Sequence, residues 1–235
     1  MSKSTVDQIR ERFDNSVERF SHLEQGNVAQ VDSALSLDLI AEAAAATTPA
    51  AKAMLDVGCG AGNYTLKLLE RLPNLDVTLL DLSMPMLERA RERVSSVTTG
   101  TISLVQGDVR EVDLGTERYD VIVASAVLHH LREEPEWEAV FRKFYAALRP
   151  GGSLWIYDLI QHTIPEIEAG MDRRYDAYLV QVNGDAYRDT VRGWIEMEDT
   201  PRPLMFQMDM LRTAGFRDTD ILHKNMRFAA FGARK

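Results

Sequence analysis

The stretch LDVGCGAGNY, residues 55–64, joins a short apolar run to three glycines at alternate positions. The apolar run Ala53–Val57 is typical of a buried strand, and Gly58 ends it. Residues Tyr64–Arg71 have the apolar spacing of a helix. Glycine adopts positive φ readily and lets a ligand lie against bare backbone, and the first turn of a helix offers free N–H donors. The stretch therefore predicts a ligand-binding turn between a strand and a helix.

Predicted strands and helices alternate along the chain after this turn. We expect further strands at 77–80, 102–105, 119–124 and 154–157, with helices at 85–94 and 137–148. A last helix at 203–214 precedes two apolar runs, 216–222 and 226–231, which predict an antiparallel hairpin with its turn at 223–225. Such alternation indicates a parallel sheet with helices on both faces.

Two segments lie outside the alternation. Apolar spacing predicts two helices before the first strand and two amphipathic helices inserted above the sheet. We therefore expect one domain with four parts: N-terminal helices or a lid at 1–50, a ligand-binding core at 53–158, an inserted helical cap at 160–202, and the last helix and hairpin at 203–235.

Acidic residues follow successive predicted strands at one edge of the sheet. Asp81 ends the second strand, where a carboxylate can accept hydrogen bonds from ribose hydroxyls. Asp108 follows the third strand and can accept a hydrogen bond from the amino group of adenine. Asp56 precedes the first glycine and suits a cationic ligand better than a pyrophosphate. The dinucleotide fingerprint G-x-G-x-x-G does not fit, because its sixth position counted from Gly58 is Asn63. A turn that binds nothing, a helix-capping role for Asp81 and an ordinary Gly-Asp turn stay open as alternatives.

Composition excludes several classes of protein. The 235 residues include 27 Lys and Arg against 36 Asp and Glu, and the resulting net charge of −9 disfavours a broad nucleic-acid-binding face. The single cysteine, Cys59, rules out an intrachain disulfide and a multi-thiolate metal site. The first residues show no signal segment, and no stretch of about 18 apolar residues occurs, so we expect a cytoplasmic protein without membrane contact.

Together these residues resemble the class I S-adenosylmethionine-dependent methyltransferases. The similarity covers 53–158 and resumes at the terminal hairpin, and it is carried in family order by LDVGCGAG, LLDLS, QGDV, YDVIVASAVLHHL and LRPGGSLWIYD. It implies a Rossmann-like, doubly wound α/β fold with a seven-stranded sheet, mostly parallel with a C-terminal antiparallel strand, plus N-terminal and inserted lid helices. It also implies that S-adenosylmethionine donates a methyl group to a small-molecule acceptor and leaves S-adenosylhomocysteine.

The resemblance places the cofactor along the edge of the sheet. The glycine loop would line the methionine half, Asp56 would orient the loop or the ammonium group, Asp81 would hold the ribose, and Ser125 would lie beneath the sulfonium. The implied cofactor-binding residues are Asp56, Gly58, Cys59, Gly60, Gly62, Asp81, Leu82, Asp108, Val109 and Ser125. Methylation of a base amino group is unsupported, because the segment 124–127 lacks the family's Asp/Asn-Pro-Pro-aromatic motif.

His129 and His130 are the candidate catalytic bases, because they follow the fourth strand near the expected acceptor. As chain neighbours they are expected to point in different directions, so that at most one faces the cleft, and capping or packing roles stay open. No acid or further histidine lies at ligand spacing, so we predict no metal site. Candidate acceptor contacts from the two lid segments are Phe20, Tyr175 and Arg192, although such residues also serve as core or solvated surface.

Other functions stay open from the sequence. RFDNSVERF at 12–20, the glycine loop and the C-terminal layout also resemble, more loosely, carboxy-S-adenosylmethionine synthase of tRNA wobble uridine modification, with Arg192 near that family's carboxylate-binding arginine. A non-catalytic S-adenosylmethionine-binding module and a nucleotide-dependent dehydrogenase are further alternatives. A homodimer is open as well, because the apolar insertion can close a pocket or form an interface.

Overall fold

A seven-stranded sheet organises the computed structural model, which describes residues 3–21 and 28–235. Its strands are β1 (Ala53–Val57), β2 (Asp76–Asp81), β3 (Ile102–Gln106), β4 (Tyr119–Ser125), β5 (Leu148–Leu159), β6 (Asp218–Asn225) and β7 (Phe228–Arg234). Their order is β3-β2-β1-β4-β5-β7-β6, in which β1 to β5 pair in parallel and β7 is antiparallel to both its neighbours. The predicted fold class is confirmed, because β7 is the antiparallel strand inserted between the fifth and sixth.

Helices cover both faces of the sheet. They are α1 (Val6–Asp14), α2 (Val17–Ser21), α3 (Ser33–Thr47), α4 (Asn63–Arg71), α5 (Met84–Ser95), α6 (Glu134–Ala147), α7 (Pro165–Glu198) and α8 (Leu204–Ala214). Side chains of successive residues in a strand alternate between faces, so Met54 packs with α3, α4 and α5, whereas Leu55 packs with α6 and α8. This double coverage leaves the carboxyl ends of β1, β2, β3 and β4 free to form a ligand site.

The inserted segment forms one long helical stretch with a break. Helix α7 is interrupted at Asn183 (φ −158°) and Gly184 (φ +79°), which agrees with the prediction of two helices between residues 160 and 202. Glycine suits this break because positive φ costs it little. The first half of α7 buries Tyr175 and Leu179 and the second half buries Val191, all against the face of the sheet that carries α3.

Two sequence predictions differ from the fold. Three helices precede β1 in the described residues, because the apolar spacing that we assigned to one helix is divided at Asn15 between α1 and α2.

The hairpin turn lies at Met226 and Arg227, because His223 and Asn225 are held in β6 by hydrogen bonds of 2.8 Å each to Oδ2 of Asp32. His223 and Asn225 are polar because they bind Asp32, and not because they form a turn. The predicted N-terminal part also includes 22–27, which lies outside the described residues.

No helix in the described part of the chain is both long enough and apolar enough to span a bilayer.

Candidate active site

The glycine loop lies at the carboxyl end of β1 and is hydrogen-bonded to β2. The backbone N–H groups of Gly58 and Cys59 donate to the carbonyl oxygen of Leu80 at 2.8 and 3.1 Å. Gly58 has φ +66°, and a Cβ there would lie 2.8 Å from the side chain of Val127 after β4. Gly60 has φ +50°, and no described atom lies within 4 Å of the place where its Cβ would be. The loop thus packs closely on one side and is open at Gly60 on the other.

Asp81 connects the ends of the first two strands. Its Oδ2 accepts a hydrogen bond from the Gly60 N–H, and its Oδ1 accepts one from the Ser83 N–H. Burial raises the pKa of Asp81, although the backbone donors oppose the shift. Each carboxylate oxygen can accept more than one hydrogen bond, so both remain able to accept from a ligand.

Asp56 lies beneath the loop and not in the cavity. It is 1% exposed, and its Oδ2 accepts a 2.7 Å hydrogen bond from Oγ1 of Thr65 in α4. Burial raises the pKa of Asp56 to about 6. Any effect of this carboxylate on a bound cofactor would pass through the loop.

One cavity of about 390 Å³ extends from the glycine loop to the inserted helix. Seven of the ten predicted cofactor-binding residues line it: Gly58, Gly60, Asp81, Leu82, Asp108, Val109 and Ser125. Asp56, Cys59 and Gly62 do not, because Asp56 faces Thr65, Cys59 is packed in the core, and Gly62 starts α4 against Ala90.

Asp108 lies at the far end of this cavity with an ion-pair partner of its own. Oδ1 accepts from the Arg110 backbone N–H at 2.9 Å and from its Nε at 3.0 Å, and Oδ2 accepts from Nη2 at 2.6 Å. Burial opposes ionisation, but the Arg110 hydrogen bonds outweigh it and hold the pKa of Asp108 below its usual value. Asp108 is therefore a charged, fixed acceptor at the end of the cavity, next to Val109.

Both candidate catalytic histidines line the cavity, which corrects the expectation that at most one would. They belong to a short 3-10 helix, Leu128–His130, and their ring centroids are 4.4 Å apart. Asp158, at the end of β5 and fully buried, accepts from the Leu128 backbone N–H at 2.7 Å and contacts Nδ1 of His129 through Oδ1. Asp158 thus fixes both this turn and the His129 ring.

Asp199, which follows α7, brings a second carboxylate to the histidines. Its Oδ1 lies 3.6 Å from Nε2 of His129 and 3.3 Å from Nδ1 of His130. Burial alone would lower the pKa of His129, but the charges of Asp199 and Asp158 outweigh it and raise this pKa to about 9. Burial also raises the pKa of Asp199 to about 6. At neutral pH, His129 is therefore an imidazolium between two carboxylates.

His130 has the opposite electrostatic environment. Burial, followed by the charge of His129, lowers the pKa of His130 well below its usual value. Its Nε2 is buried and has no hydrogen-bond partner among the residues described. His130 is thus neutral at physiological pH, and its buried Nε2 leaves a hydrogen-bonding position unfilled.

The sequence predicts no metal site because no third ligand lies near the two histidines along the chain, but the fold brings Asp199 next to them. Ligand atoms of His129, His130 and Asp199 lie within 4.8 Å of one another. Nδ1 of His129 already contacts Asp158, and Nδ1 of His130 lies 3.4 Å from the Glu198 carbonyl oxygen. The absence of a metal here stays a prediction.

Arginine and aromatic side chains from both lid segments close the cavity, and we call Arg12, Phe13, Arg19, Phe20 and Trp194 the roof. The Arg12 guanidinium carbon lies 4.3 Å from the Phe13 ring centroid and 5.3 Å from that of Trp194, and Arg19 lies 5.5 Å from Phe20 and 5.3 Å from Trp194. All five line the cavity. The N-terminal helices and α7 therefore meet over the site.

The three candidate acceptor contacts have different positions. Phe20 and Tyr175 line the cavity, with the Tyr175 hydroxyl donating to the Ala29 carbonyl oxygen at 2.8 Å. Arg192 does not line it, because its guanidinium pairs with Asp172 at 3.0 Å and Asp176 at 3.3 Å within α7.

Sequence reasoning missed three residues of the site. Asp158 was detectable, because it ends a parallel strand as Asp81 does. Arg12 lies in the stretch RFDNSVERF but was given no role, and Asp199 carries no motif, since their positions depend on how α7 folds back over the sheet.

A known family matches the part of the chain that contains the glycine loop. Residues 54–152 match the family described as methyltransferase domain. The chain is 28% identical over 167 residues to demethylmenaquinone methyltransferase of Listeria monocytogenes, which covers 69% of each protein. It is 29% identical over 186 residues to carboxy-S-adenosyl-L-methionine synthase of Trichlorobacter lovleyi, which covers 77% of this chain and 75% of that protein.

A solved structure shares the fold. Human N-acetylserotonin methyltransferase in complex with S-adenosylmethionine superposes with a TM-score of 0.60 at 18% identity, over 98% of this chain and 57% of that one. Residues 54–152 carry the methyltransferase domain, and the fold, the glycine loop and the relatives together support an S-adenosylmethionine-dependent methyltransferase. The resemblance and the cofactor inferred from the sequence are thereby confirmed.

Proposed function

We propose that the protein transfers the methyl group of S-adenosylmethionine to a small-molecule acceptor by in-line displacement. The observation that carries this proposal is the single cavity that joins Gly60, Asp81 and Asp108 at one end to His130 and Trp194 at the other. Donor and acceptor would therefore share one enclosed space, with the acceptor beneath the roof.

The residues at the first end fit S-adenosylmethionine. Asp81 offers carboxylate oxygens for the ribose hydroxyls, Asp108 and Val109 would hold the adenine edge, and Leu82 would pack on its ring. The bare backbone at Gly60 leaves room for the methionine half. Ser125 in the cavity lining would contact the charged sulfur, and Asp56 would act only through the loop that it supports.

S-adenosylmethionine supplies a methyl group that is activated by a positively charged sulfur. The chain's main task is to align the acceptor with that methyl group and to exclude water, which can lower a barrier by up to about 7–11 kcal/mol. The roof performs both tasks: its aromatic side chains form apolar walls, and the Arg12–Glu198 hydrogen bonds of 2.8 and 3.0 Å tie α1 to the end of α7.

His130 and His129 would have separate roles. His130 is neutral, and its buried Nε2 has no hydrogen-bond partner among the described residues, so it would be the proton acceptor for an acceptor hydroxyl or ammonium group that reaches it. His129 is already protonated and cannot act as a base; it positions the turn and the neighbouring ring. Proton transfer to His130 would be favoured by Asp199, whose carboxylate lies 3.3 Å from the other ring nitrogen.

Turnover with a panel of small molecules tests this proposal. The protein is incubated with S-adenosylmethionine and individual phenols, amines and thiols, and S-adenosylhomocysteine formation is measured together with product mass. A product 14 Da heavier than one acceptor is the expected result of methyl addition. Tight cofactor binding without turnover on any acceptor would instead favour a non-catalytic module, and binding of NAD in its place would favour a dehydrogenase.

The similarity to carboxy-S-adenosyl-L-methionine synthase of Trichlorobacter lovleyi favours a second candidate function, modification of the cofactor. Arg192, the residue that the sequence indicated for a carboxylate, is committed to Asp172 and Asp176 outside the cavity. Mass spectrometry of the ligand that copurifies with the protein separates the two functions, because a carboxylated cofactor is 44 Da heavier than S-adenosylmethionine.

A further inference from the structure

Two arginines of the roof differ in their charge partners. Arg12 is neutralised, because its Nε donates to both carboxylate oxygens of Glu198, which is 4% exposed. Arg19 has no carboxylate oxygen within 4.0 Å of its guanidinium in the described ranges 3–21 and 28–235. Its close neighbours are the rings of Phe20 and Trp194 and the side chain of Tyr187. Aromatic ring faces hold a guanidinium in place without cancelling its charge.

The position of Arg19 relates it to the reacting end of the cavity. The Phe13 ring lies 6.2 Å from the ring of His130 and 5.7 Å from that of Phe20, which the Arg19 guanidinium carbon approaches to 5.5 Å. A flat molecule lying along Phe13 would therefore reach from His130 to Arg19. Val191 and Ile195 add apolar surface to the same part of the cavity.

The charges around this space favour a ligand with a single negative charge. Arg12 and Glu198 cancel, and protonated His129 with Asp158 and Asp199 carries one net negative charge. Arg19 and Arg132 are the cavity-lining arginines without a carboxylate within 4.0 Å among the described residues, which leaves one net positive charge. A planar guanidinium binds a carboxylate through two parallel hydrogen bonds. A phosphate dianion would leave a second charge unpaired next to Glu198 and Asp199.

We propose that Arg19 binds a carboxylate on the methyl acceptor, so that the acceptor is a small planar acid held beneath the roof with its reacting atom at His130. This inference rests on the proposed methyl transfer and specifies its substrate class. A carboxylate can also be carried by a modified cofactor, so the experiment must distinguish these two sources.

The test uses protein saturated with S-adenosylhomocysteine and isothermal titration of three acid and amide pairs: benzoate, 4-hydroxybenzoate and indole-3-carboxylate with the corresponding amides. Wild-type protein binds at least one acid about tenfold or more tightly than its amide. R19Q loses that preference, and R19K retains part of it because the charge remains. The control is R10Q, which removes an exposed arginine of α1 paired with Asp7 at 3.1 Å and leaves the preference intact.

Several outcomes overturn the proposal. A wild-type protein without preference for any acid, or an R19Q variant that keeps the full preference, excludes an anchoring role for Arg19. A second arm titrates carboxy-S-adenosylmethionine into ligand-free protein. If R19Q binds this cofactor more weakly than wild type does, and wild type binds no aromatic acid more tightly than its amide, the carboxylate belongs to the cofactor.

Affinity for S-adenosylhomocysteine is measured in every variant. Unchanged affinity shows that R19Q is folded. Failure of the wild type to bind S-adenosylhomocysteine would refute the methyl transfer itself, a result distinct from loss of acid preference alone.

Discussion

The backbone N–H of Gly60 donates a 2.8 Å hydrogen bond to Oδ2 of Asp81, and this bond joins the loop after β1 to the end of β2. The carboxylate also accepts from Ser83 at 2.9 Å, next to the first turn of α5. Asp81 therefore shapes the glycine loop before a ligand binds, and it faces the cavity in the position expected for a ribose contact.

Replacing Asp81 with alanine should weaken cofactor binding. The variant loses the ribose acceptor and releases the Gly60 N–H, so we expect S-adenosylhomocysteine affinity to fall by about 1–3 kcal/mol in isothermal titration. The matched control is Asp76→Ala at the exposed start of the same strand, which lies outside the cavity and should leave affinity unchanged. Equal affinities in wild type and Asp81→Ala would show that the ribose lies elsewhere.

Replacing His130 with alanine should slow turnover without loss of cofactor. Removal of the neutral ring nitrogen eliminates the proton acceptor, and we expect kcat to fall about 10²–10⁴-fold while S-adenosylhomocysteine affinity stays the same. His162→Gln is the control, because His162 pairs with Glu168 at 2.9 Å away from the cavity. Full turnover in the His130 variant with an acceptor that must lose a proton would exclude it as the base.

The pH dependence of turnover should have a plateau between about 6 and 9. Below it, Asp199, whose pKa is about 6, takes up a proton and no longer supports charge on His130. Above the plateau, His129, whose pKa is about 9, loses its proton. Asp199 and Asp158 raise this pKa, and the charge of Arg12 lowers it slightly. His129→Asn should therefore remove the alkaline limb and move the acid limb to higher pH, because the charge of His129 lowers the pKa of Asp199. An unchanged alkaline limb in this variant would assign it to another group.

Replacing Asp56 with asparagine should stabilise the protein at high pH. Its folded pKa of about 6 lies above the ordinary value of 3.8, so its contribution to stability is fully present below about pH 4 and is lost as pH rises through 6. A shift of about two units corresponds to about 3 kcal/mol as an upper figure. We expect the free energy of unfolding of Asp56→Asn to exceed that of wild type at pH 8 and to match it near pH 4, measured by urea denaturation.

The opposite result would be informative about Asp56. A variant that is less stable than wild type at both pH values would mean that the hydrogen bond from Thr65 requires the charged carboxylate.

The cofactor end of the site was predictable because it depends on local rules. The carboxyl ends of neighbouring parallel strands meet at one edge, so Asp81 and Asp108, each following a strand, had to lie near the glycine loop. Asp158 obeys the same rule at the end of β5 and could have been found in this way.

The acceptor end was not predictable because it depends on contacts between distant segments. Arg12 contacts Glu198 across 186 residues, and nothing in the sequence near either residue indicates the other. Arg192 shows the same limitation. Its role was inferred from a loose resemblance, whereas its guanidinium is held by Asp172, which lies on the other side of the break in α7. The two histidines both reach the cavity from a short 3-10 helix, whereas the sequence analysis expected neighbouring side chains to point in different directions.

A crystal structure of the protein soaked with S-adenosylhomocysteine would show whether the cavity binds the nucleoside as proposed. We expect the ribose hydroxyls within hydrogen-bond distance of Asp81, the adenine beside Asp108 and Val109, and the sulfur directed toward His130. Density for the ligand outside this cavity, or with its adenine under Trp194, would contradict the proposed site and the methyl transfer derived from it.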